Sequence, residues 1–398
     1  MRTVLKHTTQ EAGTLSFLRT TALCNVSGQL LGTTFTVESD DPTFLESFQA
    51  YFSGLRPLQE KERNNPEIRF RVNLKDSAQA SFRVERHTSS GSPAVQYRSL
   101  EGHPRPAYGA LQMIGEHMLN SARGFFIAHA AVVAARSRGL VLCGPSGIGK
   151  TTLTLSLLQE GYLYYSDDYC PFHLANCLVY PFPRSTLIRK TALAPVPPVP
   201  DHLSALCGGN VTTKTIRLQR PATEPCRPKA VICLDHGNPP EPFHRVNILA
   251  KKAGREILVN ELSGISRRIL VQDLKGEIFN LRVQYPSGHG LTRAVRALLR
   301  HHSEEIWYAI RVDSHGADFT RDPEITRISV QEAALVLLRE TRQFPGQVPW
   351  DAARKPSAGT LLMQIARLLD GVATYRMRTG RLKETCLLAN KVLEEGKG

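Results

Sequence analysis

A glycine-rich segment that ends in Lys-Thr-Thr carries the clearest chemical signal in this sequence. Residues 144–152 read GPSGIGKTT and match the pattern G-x-x-x-x-G-K-[ST]. Glycines let the backbone wrap with its N–H groups pointing inward, so that they surround phosphate oxygens. The lysine of such a segment reaches the β- and γ-phosphates, and the next hydroxyl ligates Mg²⁺. We therefore predict that ATP or GTP binds with Mg²⁺, with Thr151 as a metal ligand, through Gly144, Pro145, Ser146, Gly147, Ile148, Gly149, Lys150, Thr151 and Thr152.

The residues on either side of this segment supply the elements that a phosphate loop needs. The apolar run GLVLC (139–143) predicts a strand before it, and TTLTLSLLQE (151–160) predicts a helix after it. A chance match in a glycine-containing turn would not require these flanks. The helix start adds its positive end to the loop.

Two adjacent carboxylates end the next predicted strand, in YLYYSDDY (162–169). Phosphoryl transfer needs a carboxylate that holds Mg²⁺ and a base for the acceptor hydroxyl. A strand parallel to the one before the loop would bring Asp167 and Asp168 to the same sheet edge. Two close carboxylates also repel, which raises one pKa and suits a base. We assign the base to Asp167 and the metal to Asp168, with the reverse assignment and a simple turn cap left open.

His129 lies in the apolar context FIAHAAVV. Alone, it would be interpreted as a core histidine. The run FIAHAAVVAA (126–135) and the strand at 139–143 are separated by a short turn, which predicts a hairpin. Because that hairpin leads into the phosphate loop, His129 is a candidate for the active site.

The rest of the chain predicts an α/β protein of two domains. Residues 1–105 predict a β-rich N-terminal domain, and residues 106–398 a larger domain that carries the phosphate loop and closes with helices. Alternating apolar and polar residues predict strands, and helical spacing predicts a helix over 44–55 and another over 106–124. The tail at 360–393 predicts two helices around the run ATYRMR. A proline-rich stretch, 192–203, is predicted to be a surface loop.

Composition limits the classes of function. The 398 residues are 41% hydrophobic, no apolar run could span a bilayer, and the N-terminus lacks a secretion signal. We therefore expect a cytoplasmic protein with no membrane partner and reduced cysteines, whose spacing does not suit zinc. The net charge of +14 favours anionic partners. No nucleic-acid-binding motif is present, so we expect no nucleic acid partner and favour an acidic protein substrate.

The stretch from Ile127 to Tyr169 resembles the core of HPr kinase/phosphorylase-like proteins. Both have a His on a strand, a hairpin, a phosphate loop, a helix ending in Gly and a strand ending in Asp-Asp, in this order. Looser similarity extends to 180–190 and to 373–385. The resemblance implies a P-loop core of the HPr kinase/phosphoenolpyruvate carboxykinase-like type behind a separate N-terminal domain, and it suggests a homo-oligomer.

The resemblance also implies an activity and roles for residues. It implies a kinase that uses ATP and Mg²⁺ and transfers the γ-phosphate to a Ser or Thr hydroxyl of a protein or peptide. Lys150 would bind phosphate and His129 would be the active-site histidine. Arg184 and Lys190 would be candidate phosphate or substrate contacts, with solvated charges as the competing interpretation. The family's second signature, with its Mg²⁺-binding Glu, is not found after the Asp pair, which favours an acceptor other than HPr.

Three other functions remain open at this point. The first is a small-molecule kinase on the same core, and the second is a P-loop ATPase without a phosphoacceptor. The segment NELSGISRR (260–268) contains Leu-Ser-Gly, as ABC-type ATPases do, but no Asp-Glu pair follows the next apolar run. The third is a nucleotide sensor without catalysis, which the intact Lys150 and Asp pair argue against.

Overall fold

The computed structural model describes most of the chain between residues 23 and 395. Within that span it leaves out 53, 59–65, 77–78, 88–92, 102, 104, 136, 183, 190–212, 217–220, 236–242, 275–276, 287–288, 303–304, 313–318 and 342–356. Lys190 and the proline-rich stretch 192–203 therefore lie outside the described residues. None of the described helices combines the length and the apolar character needed to cross a bilayer.

The N-terminal part is a six-stranded sheet with two helices. The order across the sheet is β3-β1-β2-β4-β5-β6. The first hairpin closes through Leu31 and Gly32, which both have positive φ as a tight two-residue turn requires. The first helix begins at a proline behind Asp41, whose side chain accepts a hydrogen bond from the Thr43 N–H. The elements are β1 (Cys24–Leu30), β2 (Thr33–Ser39), α1 (Pro42–Tyr51), β3 (Arg56–Pro57), β4 (Ile68–Asn73), β5 (Ser81–Arg86), β6 (Ala94–Ser99) and α2 (Pro106–Ser121).

The middle of the chain alternates short strands with one helix. The predicted hairpin before the glycine-rich segment is confirmed, since β8 and β9 pair antiparallel. The predicted single strand at 126–135 is wrong, because it is divided at His129. Its first half, β7, pairs with β11 in a separate two-stranded sheet. The elements are β7 (Phe125–Ala128), β8 (Ala130–Ala135), β9 (Arg138–Cys143), α3 (Lys150–Gln159), β10 (Leu163–Ser166), β11 (Cys170–His173), β12 (Thr186–Arg189), β13 (Thr213–Ile216) and β14 (Arg227–Asp235).

A β-α-β-β-α-β unit follows, with its own hydrophobic core. Its sheet order is β16-β17-β15-β18, and every neighbouring pair is antiparallel, which is the ferredoxin-like arrangement. Leu258 and Leu262 of one helix and Val295 of the other pack on one face of the sheet. We call this unit the inserted module. Its elements are β15 (Phe243–Lys251), α4 (Arg255–Ser263), β16 (Arg268–Asp273), β17 (Ile278–Pro286), α5 (His289–His301) and β18 (Ile306–Val312).

The C-terminal part returns to the central sheet. The two predicted helices around ATYRMR are confirmed, and that run is a strand between them. The elements are β19 (Glu324–Arg327), α6 (Val330–Arg339), α7 (Ala358–Leu368), β20 (Ala373–Arg378) and α8 (Leu382–Glu395).

The central sheet has the order β10-β8-β9-β14-β20-β19. Strands β9, β14 and β20 are parallel, whereas β8 is antiparallel to both β9 and β10. Strand β10 therefore runs in the same direction as β9. Helices α3 and α8 cover one face of this sheet, and α6 and α7 cover the other. The carboxyl ends of β9, β10 and β14 consequently meet at one edge, where ligands of such sheets bind.

The N-terminal part packs directly on the central part. Phe52 contacts Phe182 with ring centroids 6.1 Å apart, and both belong to the same buried cluster. The Ser185 N–H donates to the Tyr51 carbonyl at 2.7 Å, and its hydroxyl donates to the Ala50 carbonyl at 3.1 Å. The end of α1 is therefore fixed against the segment that carries Arg184.

Candidate active site

The glycine-rich segment forms the loop between β9 and α3. Gly144 has φ +142°, and a Cβ there would lie 2.7 Å from the Leu234 carbonyl oxygen of β14. Gly149 has φ +99° at the start of α3. Among the described residues no side chain caps this helix, and its first turn carries no acid. The first N–H groups of α3 therefore receive no side-chain cap from the described residues, and such N–H groups bind anions.

Lys150 is the first residue of α3 and is buried, at 6% exposure. Its Nζ donates to the carbonyl oxygens of Gly144 at 2.6 Å and Pro145 at 3.0 Å. These bonds hold the ammonium group over the loop. Ile148 is fully buried in the core under α3 and Gly144 is buried against β14, whereas the loop residues at 145–147 and 149 are more open.

Asp167 follows β10 and lies beside the hydroxyl of Thr151. The Thr151 Oγ1 donates to Asp167 Oδ2 at 3.3 Å, and the Tyr164 hydroxyl donates to Oδ1 at 2.9 Å. Burial is the main cause that raises the pKa of Asp167, and the charge of Asp168 adds to it, whereas Arg184 opposes it. The predicted parallel direction of β9 and β10 thus places this carboxylate next to the loop.

Asp168 faces an imidazole and a guanidinium instead. Its Oδ1 lies 2.7 Å from His129 Nε2, and its Oδ2 accepts a hydrogen bond from Arg184 Nη2. The other ring nitrogen of His129, Nδ1, lies 3.4 Å from Glu340 Oε2. The imidazole is thus held between two carboxylates, which fixes its orientation.

The division between β7 and β8 explains how His129 reaches this position. Its backbone N–H leaves the sheet and donates to the Glu340 carbonyl at 2.9 Å. Its neighbour Ala128 forms an isolated bridge with Thr341. The break turns the histidine side chain toward Asp168 rather than into the sheet core.

Arg184 is buried, with 7% exposure, and it joins the two parts of the chain. Besides Asp168, its Nη1 donates to the Tyr51 hydroxyl at 3.1 Å and to Gln112 Oε1 at 3.4 Å. Its guanidinium lies 4.8 Å from the ring centroid of Tyr169. Burial opposes its charge, but Tyr51 and Asp168 raise the pKa of Arg184 well above its ordinary value, so it stays charged. The interpretation of Arg184 as a solvated charge is wrong.

Sequence reasoning missed Glu340, Tyr51 and Gln112. Glu340 gave one usable signal: it caps the carboxyl end of α6, where the helix dipole disfavours an acid. Such a residue needs another partner, and His129 is that partner. Tyr51 gave no signal, because an aromatic residue on an amphipathic helix is indistinguishable from a core residue in the sequence.

Comparisons with known proteins place few limits on this chain. No protein-family model matches it, and no curated protein is similar to it in sequence. One solved structure that it resembles is the HPr(Ser) kinase/phosphatase from Coxiella burnetii, at 17% sequence identity and a TM-score of 0.18. That match covers 44% of this chain and 95% of the other. A TM-score this low supports no conclusion about fold or activity.

Proposed function

We propose that this protein is an ATP-dependent kinase that transfers the γ-phosphate to a Ser or Thr hydroxyl of a protein or peptide. One observation carries the proposal. The loop at 144–149, the Thr151–Asp167 pair and the His129–Asp168–Arg184 cluster all lie at one edge of the central sheet. Phosphoryl transfer requires such parts: a loop that binds the phosphates, a carboxylate that holds Mg²⁺, and a second carboxylate that accepts the proton of the acceptor hydroxyl.

The residues present fit a nucleotide with Mg²⁺. Mg²⁺ is usually held by one or two protein oxygens together with phosphates, and the Thr151 hydroxyl and Asp167 supply such oxygens. Within the described ranges, no group of three or more His, Cys, Asp or Glu side chains is arranged to hold a metal ion by itself. When bound, Mg²⁺ neutralises charge that develops on the phosphates.

The contacts favour roles for the two carboxylates that are the reverse of those assigned from the sequence. Asp167 shares a hydrogen bond with Thr151, so we place Asp167 on the metal side. Asp168 contacts His129, so we make Asp168 the group that receives the acceptor hydroxyl proton. His129 and Arg184 position Asp168, and Glu340 positions His129.

A magnesium titration of two variants tests this assignment. Asp168→Asn should lose about 10²–10⁴-fold in turnover while still binding Mg-ATP, because a base is lost. Asp167→Asn should instead need a higher Mg²⁺ concentration for its remaining turnover. The opposite pattern would restore the roles assigned from the sequence, and two fully active variants would remove both residues from the site.

The acceptor is tested with labelled ATP and Ser-containing peptides encoded by neighbouring genes, followed by mass spectrometry. A gain of about 80 Da on a Ser or Thr residue is expected with the wild-type chain and not with Lys150→Ala. Calorimetry on the same pair should show that Lys150→Ala weakens Mg-ATP binding. Fast hydrolysis without any phosphorylated product would identify an ATPase, and a phosphorylated metabolite would identify a small-molecule kinase.

A further inference from the structure

One sheet face of the inserted module carries charge that nothing in the described chain neutralises. Side chains alternate along β15, β16 and β17, so one set packs under the two helices and the other set lies on the opposite face. We call six residues of that opposite set the arginine face: Arg245, Asn247, Arg268, Leu270, Arg282 and Gln284.

The strand register arranges these residues in two rows. Gln284 pairs with Arg268 on one side and Arg245 on the other, and Arg282 pairs with Leu270 and Asn247. Three guanidinium groups therefore share one face, with neighbouring strands about 4.8 Å apart. The six residues include no carboxylate.

The three arginines are exposed, and none forms an ion pair with another residue in the described part of the chain. On the helix side of the same sheet, by contrast, Arg255 pairs with Asp273 at 3.0 Å. The lack of partners is thus a property of the arginine face and not of the whole module. Like charges at this spacing repel one another, and an external anionic group would relieve that repulsion.

The strand beside this face is an open sheet edge. Strand β16 is the last strand of its sheet, and only β17 pairs with it among the described residues. Two of its apolar side chains are unusually exposed, Leu270 at 47% and Val271 at 37%. Edge strands with unpaired backbone groups accept an added strand, and natural proteins usually block them.

A depression borders the same edge on the helix side. It has a volume of about 310 Å³ and is lined by Arg255, Glu256, Val259, Asn260 and Val271. Residues of an extended chain lying along β16 would point alternately to the arginine face and to this depression. The edge thus offers arginine side chains to one set of peptide residues and, at Val259 and Val271, apolar contact to the other.

We propose that β16 and the arginine face form a docking site for an extended acidic peptide segment. The segment would pair its backbone with β16, direct its carboxylates to Arg268 and Arg282, and direct its apolar residues to the depression beside Val271. This mode is the addition of a strand to an exposed sheet edge, in which the backbone supplies affinity and alternate side chains supply specificity. The site would hold an acidic protein substrate of the proposed kinase, but peptide binding at this edge requires no chemistry at the phosphate loop.

Two other occupants fit less well. A second copy joined edge to edge through β16 would continue the sheet and bring two arginine faces together on the same side, which is unfavourable. Single-stranded nucleic acid is also anionic, but it lacks the peptide N–H and C=O groups that would pair with the open backbone of β16.

Fluorescence anisotropy of the full chain without nucleotide tests the proposal. The probe is a labelled peptide of roughly twelve residues in which Glu and Val alternate, long enough to cover one strand. The charge-reversal pair Arg268→Glu/Arg282→Glu should weaken binding by about tenfold or more, because it replaces attraction with repulsion. The matched control, Arg367→Glu/Lys383→Glu, removes the same charge from exposed positions on α7 and α8 and should bind as the wild type does.

A second probe separates strand addition from charge attraction alone. The same peptide, N-methylated at the residues whose N–H groups would face β16, keeps its charge but cannot form the backbone bonds and should bind about tenfold more weakly. Circular dichroism checks that the variants fold, and Arg268→Gln/Arg282→Gln replaces the reversal if it does not. Equal loss in the matched control, no binding of the Glu-Val peptide to the wild type, or equal binding of the methylated probe would overturn the proposal. So would tighter binding of a single-stranded RNA at the same face, or a dimer in light scattering that the reversal pair abolishes.

Because no nucleotide is present, this binding test and the kinase assay can fail separately. A chain that binds the peptide but phosphorylates nothing would refute the proposed kinase and leave the docking site standing. A chain that phosphorylates peptides but does not bind the acidic probe would refute the docking site and leave the proposed kinase standing.

Discussion

Asp167 and Asp168 are adjacent in the sequence, yet they enter different surroundings. Asp167 accepts hydrogen bonds from two hydroxyl groups, those of Thr151 and Tyr164. Asp168 contacts an imidazole and a guanidinium. Strand β10 ends at Ser166, whose hydroxyl accepts hydrogen bonds from the N–H groups of Asp168 and Tyr169. The pair therefore lies in a turn, and its two side chains reach different neighbours. These different contacts are the basis for the roles proposed above, with Asp167 on the metal side and Asp168 as the base.

The raised pKa of Asp167 predicts a pH-dependent stability effect. In the folded chain burial raises this pKa above the ordinary 3.8, so the folded state holds the proton to higher pH than the unfolded state does. The free energy of unfolding should therefore fall as the pH rises through and above about 4, and remain reduced at neutral pH. Asp167→Asn removes this charge, so it should melt at a higher temperature than the wild type at pH 7, with the difference shrinking below pH 4.

Asp168→Asn is the matched comparison in the same melts. It leaves the buried Arg184 without its carboxylate, and it should lower the melting temperature at pH 7. If both variants shift the melting temperature in the same direction, the two carboxylates have the same effect on stability and this prediction is wrong.

At the scale of elements, the break between β7 and β8 positions the site. The sequence predicted one continuous strand at 126–135, because apolar residues run through it without a turn signal. The interruption at His129 depends on contacts with Glu340 and Thr341, more than 200 positions away in the chain. No local pattern reports such a contact, whereas the loop, the following helix and the Asp pair are local and were predictable. The reversed roles proposed for Asp167 and Asp168 rest on side-chain contacts, which residue spacing alone does not show.

Helix α2 offers a second pH-dependent prediction, independent of the active site. His117 is buried between Phe70 and Phe82, with ring centroids 6.1 and 5.7 Å away. Burial, with some repulsion from Arg86, lowers the pKa of His117 from 6.5 to about 4. The contribution of neutral His117 to stability is therefore complete above pH 6.5 and falls as the pH drops from 6.5 through about 4, by roughly 3 kcal/mol in total.

Thermal or urea melts between pH 7 and pH 4 measure this loss. His117→Leu removes the ionisable group and should flatten the decline, whereas His87→Gln, at an exposed position, should leave it unchanged. An equal decline in all three proteins would assign the acid sensitivity to other groups.

At the scale of the whole molecule, the N-terminal part contributes to the site through Tyr51. The Tyr51 hydroxyl accepts hydrogen bonds from Arg184, in the segment before β12, and from Gln112, on helix α2. The helices of the N-terminal part therefore support the position of Arg184, which in turn contacts Asp168. The predicted division into residues 1–105 and 106–398 stays a prediction, but the two ranges meet at this hydroxyl.

Tyr51→Phe tests that link. The variant keeps the ring but leaves Arg184 Nη1 without its nearest acceptor, so turnover should fall by about tenfold while Mg-ATP binding changes little. Tyr180→Phe removes a hydroxyl that contacts Asn176 instead, and it should keep normal turnover. Loss of Mg-ATP affinity in Tyr51→Phe would show that Tyr51 acts on the nucleotide and not through Arg184.

The order of strands in the central sheet also determines when this protein can assemble during synthesis. Strand β9, which leads into the phosphate loop, is made early, but its parallel neighbour β14 comes about 90 residues later and β20 about 140 residues after that. A ribosome adds about 5–20 residues per second, so the edge of β9 stays unpaired for several seconds and β14 waits longer for β20. During that time the N-terminal sheet can fold, whereas the chain around the active site exposes apolar strand edges. Chaperones that cover such edges should therefore affect the yield of active protein more than the yield of folded N-terminal sheet.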